Sequence, residues 1–112
     1  MAKSEKIANA YLEMLRDYEL TEKMIDSLPR GYISVKNISG HTYHYLQWRE
    51  GNHVLSTYVN NAVLAIIKQK IAVRKEYEEL LKVLKKELKK AERALLRNGY
   101  SEEEIEALKE RK

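Results

Sequence analysis

The 112-residue sequence has no cysteine and no phenylalanine, one proline and four glycines. Without cysteine, disulfides, thiolate metal ligands and a thiol nucleophile are excluded. That absence suits a reducing compartment, and a cytoplasmic location is the expectation. Without phenylalanine, and with 34% of side chains charged, any apolar core is modest. No apolar run approaches the ~20 residues of a bilayer span, and Met-Ala-Lys-Ser-Glu-Lys at the start is not followed by the apolar segment of a secretion signal. The glycines mark turns or stops and build no phosphate loop. No serine lies in a nucleophile elbow. His41, His44 and His53 are the only histidines, and they lack the spacing and the convergent carboxylate of a metal site. No catalytic residue, metal or cofactor is therefore expected, and His44 is expected to be hydrogen-bonded at a core edge.

What the chain does have is a patterned centre. Residues 32–59 read as a three-stranded antiparallel meander with tight turns at Ser39-Gly40 and Gly51-Asn52. Glycine supplies the positive φ that two-residue hairpin loops require, and a leading glycine suits a type II′ turn. The first loop sets Ile38 opposite His41, Ser34 opposite Tyr45 and Ile33 opposite Leu46. The second sets Arg49 opposite Val54, Trp48 opposite Leu55 and Tyr45 opposite Tyr58. Side chains alternate with period two, and the two independently placed turns sort them the same way. One face collects Ile33, Val35, His44, Leu46, Trp48, Leu55, Thr57 and Val59, the expected core. The other collects Ser34, Lys36, Tyr43, Tyr45, Gln47, Arg49, Ser56 and Tyr58, with Val54 its only aliphatic.

Helices are expected on both sides. Ser4 is a good N-cap, and Ile7, Tyr11, Met14, Tyr18, Thr21, Ile25 and Leu28 follow at alternating spacings of four and three before Pro29 and Gly31 stop the helix. A second helix starts at Asn60 or Asn61 and stops at Asn98-Gly99. Its first part, Ala62 to Ile67, is apolar nearly all round, as in a segment covered on several sides. Tyr77, Leu81, Leu84, Leu88, Ala91 and Leu95 then form a second heptad seam. Both seams have coiled-coil spacing, and they either pair with each other or serve a dimer. Ser101 with Glu104 matches a capping box, and Tyr100 with Ile105 a hydrophobic staple, at the start of a short last helix; residues 109–112 are expected to fray. The expected fold is α+β: a three-stranded antiparallel meander between two long helices, in the order α-β-β-β-α plus a short C-terminal helix. The long helices form an antiparallel hairpin. All of it is one domain, 1–112, with a helix over 4–28, the sheet over 32–59, a long helix over 61–98 and a short one over 101–110.

The net charge of +4 is unevenly spread. Residues 61–97 hold eleven basic and five acidic side chains, whereas residues 1–28 hold four and six. Lys82, Lys86, Lys89, Arg93 and Arg97 form a stripe away from the leucine seam, thickened by Lys85 and Lys90 and diluted by Glu87 and Glu92. Tyrosine offers a flat ring for stacking plus a hydroxyl, and lysine and arginine attract phosphate. Lys36, Tyr43, Tyr45, Gln47, Arg49, Ser56 and Tyr58 on the sheet, with Lys82, Lys86, Lys89 and Arg93 on the helix, are thus candidate nucleic-acid contacts, because aromatic and basic sheets bind single strands and two- or three-stranded ribbons enter grooves. A protein-binding surface and a purely structural face are the alternatives, since tyrosines also stabilise any half-exposed sheet.

The string from Gly40 to Val59, preceded by Leu28-Pro29-Arg30-Gly31, resembles a short module of uncharacterised bacterial and mobile-element proteins. In that pattern Pro-x-Gly leads to Gly-x-x-Tyr-Tyr-Tyr-Leu, then Arg-x-Gly and Ser-x-Tyr-Val. Pro29, Gly31, Gly40, Tyr43, Tyr45, Leu46, Arg49, Gly51, Ser56, Tyr58 and Val59 fit it. His44 replaces the middle tyrosine. Cysteines carried by some relatives are missing, so no metal role carries over. Three antiparallel strands followed by a helix are also similar in topology to the arm-site DNA-binding domains of tyrosine integrases. The expectation is a small non-enzymatic nucleic-acid-binding accessory protein (DNA or RNA) of a phage or mobile element, without a membrane partner. The alternatives are a protein-binding inhibitor or adaptor, for example a phage counter-defence protein acting on a host nucleoprotein complex, and a structural helical homodimer.

Overall fold

A computed structural model describes residues 3–110. The first helix, α1 (Glu5–Asp26), begins where a hydroxyl can cap it: the Ile7 N–H donates to Ser4 Oγ at 3.4 Å. Three strands follow, β1 (Tyr32–Ile38), β2 (His41–Glu50) and β3 (His53–Val59), in one antiparallel sheet of order β1-β2-β3. The long helix α2 (Asn61–Arg97) is capped by Asn60, whose Oδ1 accepts from the Ala62 N–H at 2.9 Å. It ends in a Schellman motif around Gly99, with φ 93°: the Tyr100 N–H donates to the Leu95 carbonyl at 3.1 Å and the Gly99 N–H to that of Leu96 at 3.2 Å. The last helix, α3 (Glu102–Glu110), opens on a reciprocal capping box in which Ser101 and Glu104 each donate a backbone N–H to the other's side chain, both at 3.1 Å. This is the α+β arrangement that the patterning predicts, with helix ends within two residues of those expected.

Both hairpin registers are as predicted, from Ile38 opposite His41 through Tyr45 opposite Tyr58 to Glu50 opposite His53. Ser39 and Gly40 have φ of 52° and 80°, the two positive values of a type I′ turn, while at the second turn Gly51 has φ 59°. Gly31 has a different task. Its φ is 103°, and a Cβ there would lie 2.0 Å from the Gln47 carbonyl oxygen and 3.0 Å from Trp48 Cβ. Only glycine lets the chain turn off Pro29 flush against β2.

The chain divides into two compact units. One comprises the described parts of Met1–Met24 and Tyr77–Lys112. Its core is Ala8 and Tyr11 from α1, Leu88 and Leu95 from α2, and Ile105 and Leu108 from α3. The Tyr11 hydroxyl donates to Glu92 Oε2 at 2.8 Å and the Tyr100 hydroxyl to the Ser4 carbonyl at 3.1 Å, so numbers rise along α1 as they fall along α2: the pair is antiparallel. Here the coiled-coil expectation is corrected. The fold is α+β with an open sheet, and Ile105 and Leu108 of α3 enter the same apolar cluster as the two seams. Heptad spacing is shared by any closely packed antiparallel helices, and a third helix in the cluster makes the unit a small bundle rather than a two-stranded coil. The fraying expected of residues 109–112 is also corrected in part. Lys109 and Glu110 are helical, and Lys109 Nζ lies 3.0 Å from Glu106 Oε1 and 3.5 Å from Glu92 Oε2; residues 111 and 112 lie outside the described residues.

The second unit, Ile25–Glu76, holds the sheet and the first part of α2. Ile25, Val59 and Ile71 are its buried apolar residues. The expected core face of the sheet is only partly covered: Val59 is 5% exposed, Leu46 and Trp48 are half-buried, and Val35 is 57% exposed. The start of α2 is likewise less covered than its apolar run suggests. Leu64, Ile67 and Ile71 lie on one stripe and turn inward, which leaves Val63 and Ile66 on adjacent faces and exposed. One helix buries one stripe, however apolar its circumference. Among the described residues no helix is long and apolar enough to cross a membrane.

Two outcomes follow for stability. Gly31→Ala costs more than Gly40→Ala: both positions have positive φ, worth about 1–3 kcal/mol to a non-glycine residue, yet a Cβ at Gly40 meets nothing within 4 Å whereas at Gly31 it strikes backbone. Urea melts of the two variants test this, and equal losses would refute the close approach. Burial, aided by the Glu92 carboxylate, pushes the Tyr11 phenol well above its ordinary value of 10.0. A raised folded-state pKa stabilises below the unfolded value and loses that contribution as pH climbs past 10. Melting temperatures of the wild-type chain therefore fall more steeply above pH 10 than those of Tyr11→Phe; parallel curves would show that the phenol's proton is not linked to folding.

Candidate nucleic-acid interface

The tyrosine face is built by strand parity alone. Lys36 lies opposite Tyr43, Ser34 opposite Tyr45, Tyr45 opposite Tyr58 and Gln47 opposite Ser56, so all of these point the same way. Tyr58 is 55% exposed and Tyr43, Tyr45 and Gln47 are half-buried. Aromatic cross-strand packing holds the rings together. Tyr45 and Tyr58 meet edge to face with centroids 5.9 Å apart and planes at 71°, and Tyr43 and Tyr58 lie 6.4 Å apart at 60°. Lys36 Nζ sits 4.8 Å from the Tyr45 ring centroid, a cation over the negative ring face. The sequence-predicted sheet residues Lys36, Tyr43, Tyr45, Gln47, Arg49, Ser56 and Tyr58 are therefore brought to one surface.

Two residues join them that the sequence reading left out. Tyr32, opposite Gln47, donates its hydroxyl to Gln47 Oε1 at 2.7 Å. The bond occupies the amide oxygen and leaves the amide nitrogen as donor. His41 stands 6.5 Å from Tyr43, ring to ring, at the far end of β2. The signal for Tyr32 was present: it precedes Ser34 by two and shares its parity.

The predicted helix contacts lie in the other compact unit. Lys82, Lys86, Lys89 and Arg93 of α2 are all exposed. Their charge is partly tempered by neighbours one turn away, with Lys82 Nζ 3.1 Å from Glu79 Oε1 and Lys90 Nζ 3.4 Å from Glu87 Oε1. Glu92, expected to dilute the stripe, turns inward instead and accepts from Tyr11 and Lys109.

The opposite face of the sheet opens on a groove of about 420 Å³ lined by Leu28, Pro29, Leu46, Trp48 and Thr57 with Asp26, Arg30 and Arg74. Its two arginines are engaged in structure. One Arg74 nitrogen donates to the Ile25 and Leu28 carbonyls at 2.8 and 2.6 Å, closing the end of α1, and Glu50 Oε1 accepts from Trp48 Nε1 at 3.1 Å and pairs with Arg30 at 3.5 Å. His44 lies on this side, but its Nδ1 is buried without a hydrogen-bond partner, a correction to the expectation of a satisfied core-edge histidine. Its strand neighbours here are Val35 and Val59, which offer no side-chain acceptor. Among the described residues no three of His, Cys, Asp and Glu are grouped to hold a metal ion.

Comparison with known proteins places a family match on the chain. The family described as "Domain of unknown function (DUF6788)" matches residues 4–69, which is more than half of the chain and runs from the cap of α1 through the sheet into α2. No curated protein and no solved structure matches. The family description gives no support to a phage or mobile-element setting, and that expectation falls away.

Proposed function

The chain belongs to the DUF6788 family, and from that premise we propose that it binds nucleic acid through the tyrosine face of its sheet and carries out no chemistry of its own. One observation carries this reading: Tyr43, Tyr45 and Tyr58 cluster on an exposed sheet face that also presents Lys36 and Arg49. Aromatic rings on a rigid sheet give stacking surfaces at little conformational cost, and the cations meet phosphate. Gln47 and Ser56, in the next row, add donors beside the rings. The whole of this face lies within residues 4–69, the part that defines the family. The lysine stripe of α2 lies beyond that segment and would add attraction to phosphate.

Fluorescence anisotropy with labelled oligonucleotides at low and moderate salt tests the proposal. Binding at low salt is expected, with a loss of about ten-fold or more in a Tyr45→Ala/Arg49→Ala variant, since a stacked base is worth about 1–3 kcal/mol. The melting temperature of that variant reports whether the fold survives. No binding at low salt, or full affinity in a folded double variant, would end this assignment.

A further inference from the structure

We infer that the ligand of the tyrosine face is a single strand with splayed bases rather than a duplex; this rests on the reading that the face binds nucleic acid at all. Three features of the face lead there. First, its rings are spaced for unstacked bases. Bases along a stacked strand repeat at ~3.4 Å, whereas the Tyr45–Tyr58 and Tyr43–Tyr58 centroids are 5.9 and 6.4 Å apart and their planes are inclined by 71° and 60°. Bases that stack on rings so inclined are not parallel to one another, which a flexible strand permits and a base-paired helix does not. In a duplex the base faces are hidden in the stack and only edges are offered, so exposed phenol rings find no partner there.

Second, edge-reading chemistry is poor. A side-chain amide recognises adenine in the major groove by using its oxygen and nitrogen together. Gln47 Oε1 already accepts from the Tyr32 hydroxyl at 2.7 Å, which leaves the nitrogen alone. Third, the face carries few phosphate contacts. Lys36 and Arg49 are its only formally charged side chains, and Lys36 is drawn over the Tyr45 ring at 4.8 Å rather than held out to phosphate. Neither turn, Ser39-Gly40 nor Gly51-Asn52, carries a cation to grip duplex backbone. Stacking therefore supplies more of the affinity than charge does, and the pattern fits sequence-tolerant capture of a pyrimidine-rich or mixed single strand.

The full chain is titrated, by anisotropy, against labelled oligothymidine, oligouridine and a mixed-sequence duplex of matched length. Single strands are expected to bind at least ten-fold more tightly than the duplex. Tyr45→Phe and Tyr58→Phe keep that affinity because the ring remains, whereas Tyr45→Ala loses about ten-fold or more. Replacing Lys36 and Arg49 together by glutamine lowers the log–log salt slope for single strands by about 1.4, the share of two contacts. Duplex binding as tight as single-strand binding, or a phenylalanine variant as weak as the alanine one, overturns the inference while leaving nucleic-acid binding in place. Absence of binding to all three probes overturns the wider reading.

Discussion

Two turns of two residues fix which side of the sheet every central side chain faces. Because alternation has period two, a slip of one residue in either hairpin would mix the two faces; in the second it would carry Tyr58 to the side opposite Tyr43 and Tyr45. Ser39 and Gly40, both with positive φ, and Gly51 close the loops without room for an extra residue. Gly31 adds a third constraint from outside the hairpins, since its backbone abuts the Gln47 carbonyl and locks the entry of β1 beside β2. The tyrosine face exists because of these few backbone positions, and none of them belongs to it.

A sheet of three strands with one helical stripe against it has little interior. Val59 and Ile71 are buried, but Val35, Leu55, Val63 and Ile66 remain exposed, so burial of aliphatics alone does not account for the sheet. Tyrosines on the other face supply part of the remainder. Each edge-to-face or tilted pair contributes about 0.2–1 kcal/mol across strands, and the phenol hydroxyls stay in water or, as at Tyr32, satisfy a neighbour. On the proposed reading, the rings that stabilise the ribbon are also the rings on which bases stack.

The register and caps were legible because each rests on local chemistry: a glycine where φ must be positive, Ser4, Asn60 and Ser101 where a helix needs an acceptor, Glu104 three residues after Ser101. Coverage was not legible. Periodicity shows which way Val35 and Leu55 point but not whether anything lies over them, and the apolar ring from Ala62 to Ile67 looked enclosed when only the stripe of Leu64, Ile67 and Ile71 turns inward. Long-range polar partners were equally hidden. Nothing local to Glu92 marks it as the acceptor of Tyr11, eighty-one positions away, and nothing local to Ile105 and Leu108 says that they complete a cluster begun by Ala8. That third helix is also what turns two seams with coiled-coil spacing into a small bundle.

The separation of the chain into two units bears on how a nucleic acid would be held. Stacking on the sheet is short-range and nearly indifferent to salt, whereas the exposed lysines of α2 act through a field that physiological salt cuts to about 8 Å. The sheet unit has the rings and only two cations on its open face; the helical unit has Lys82, Lys86, Lys89 and Arg93 and no exposed ring beside them within that stripe. On the proposed reading, charge would govern encounter and ring contact residence, so changes to the stripe would act mainly on association rate and changes to the tyrosines mainly on dissociation rate. The family match, confined to residues 4–69, spans the tyrosine face and stops before the stripe. On the proposed reading, the contact that sets residence belongs to the family-defining segment, while the charge that hastens encounter lies outside it.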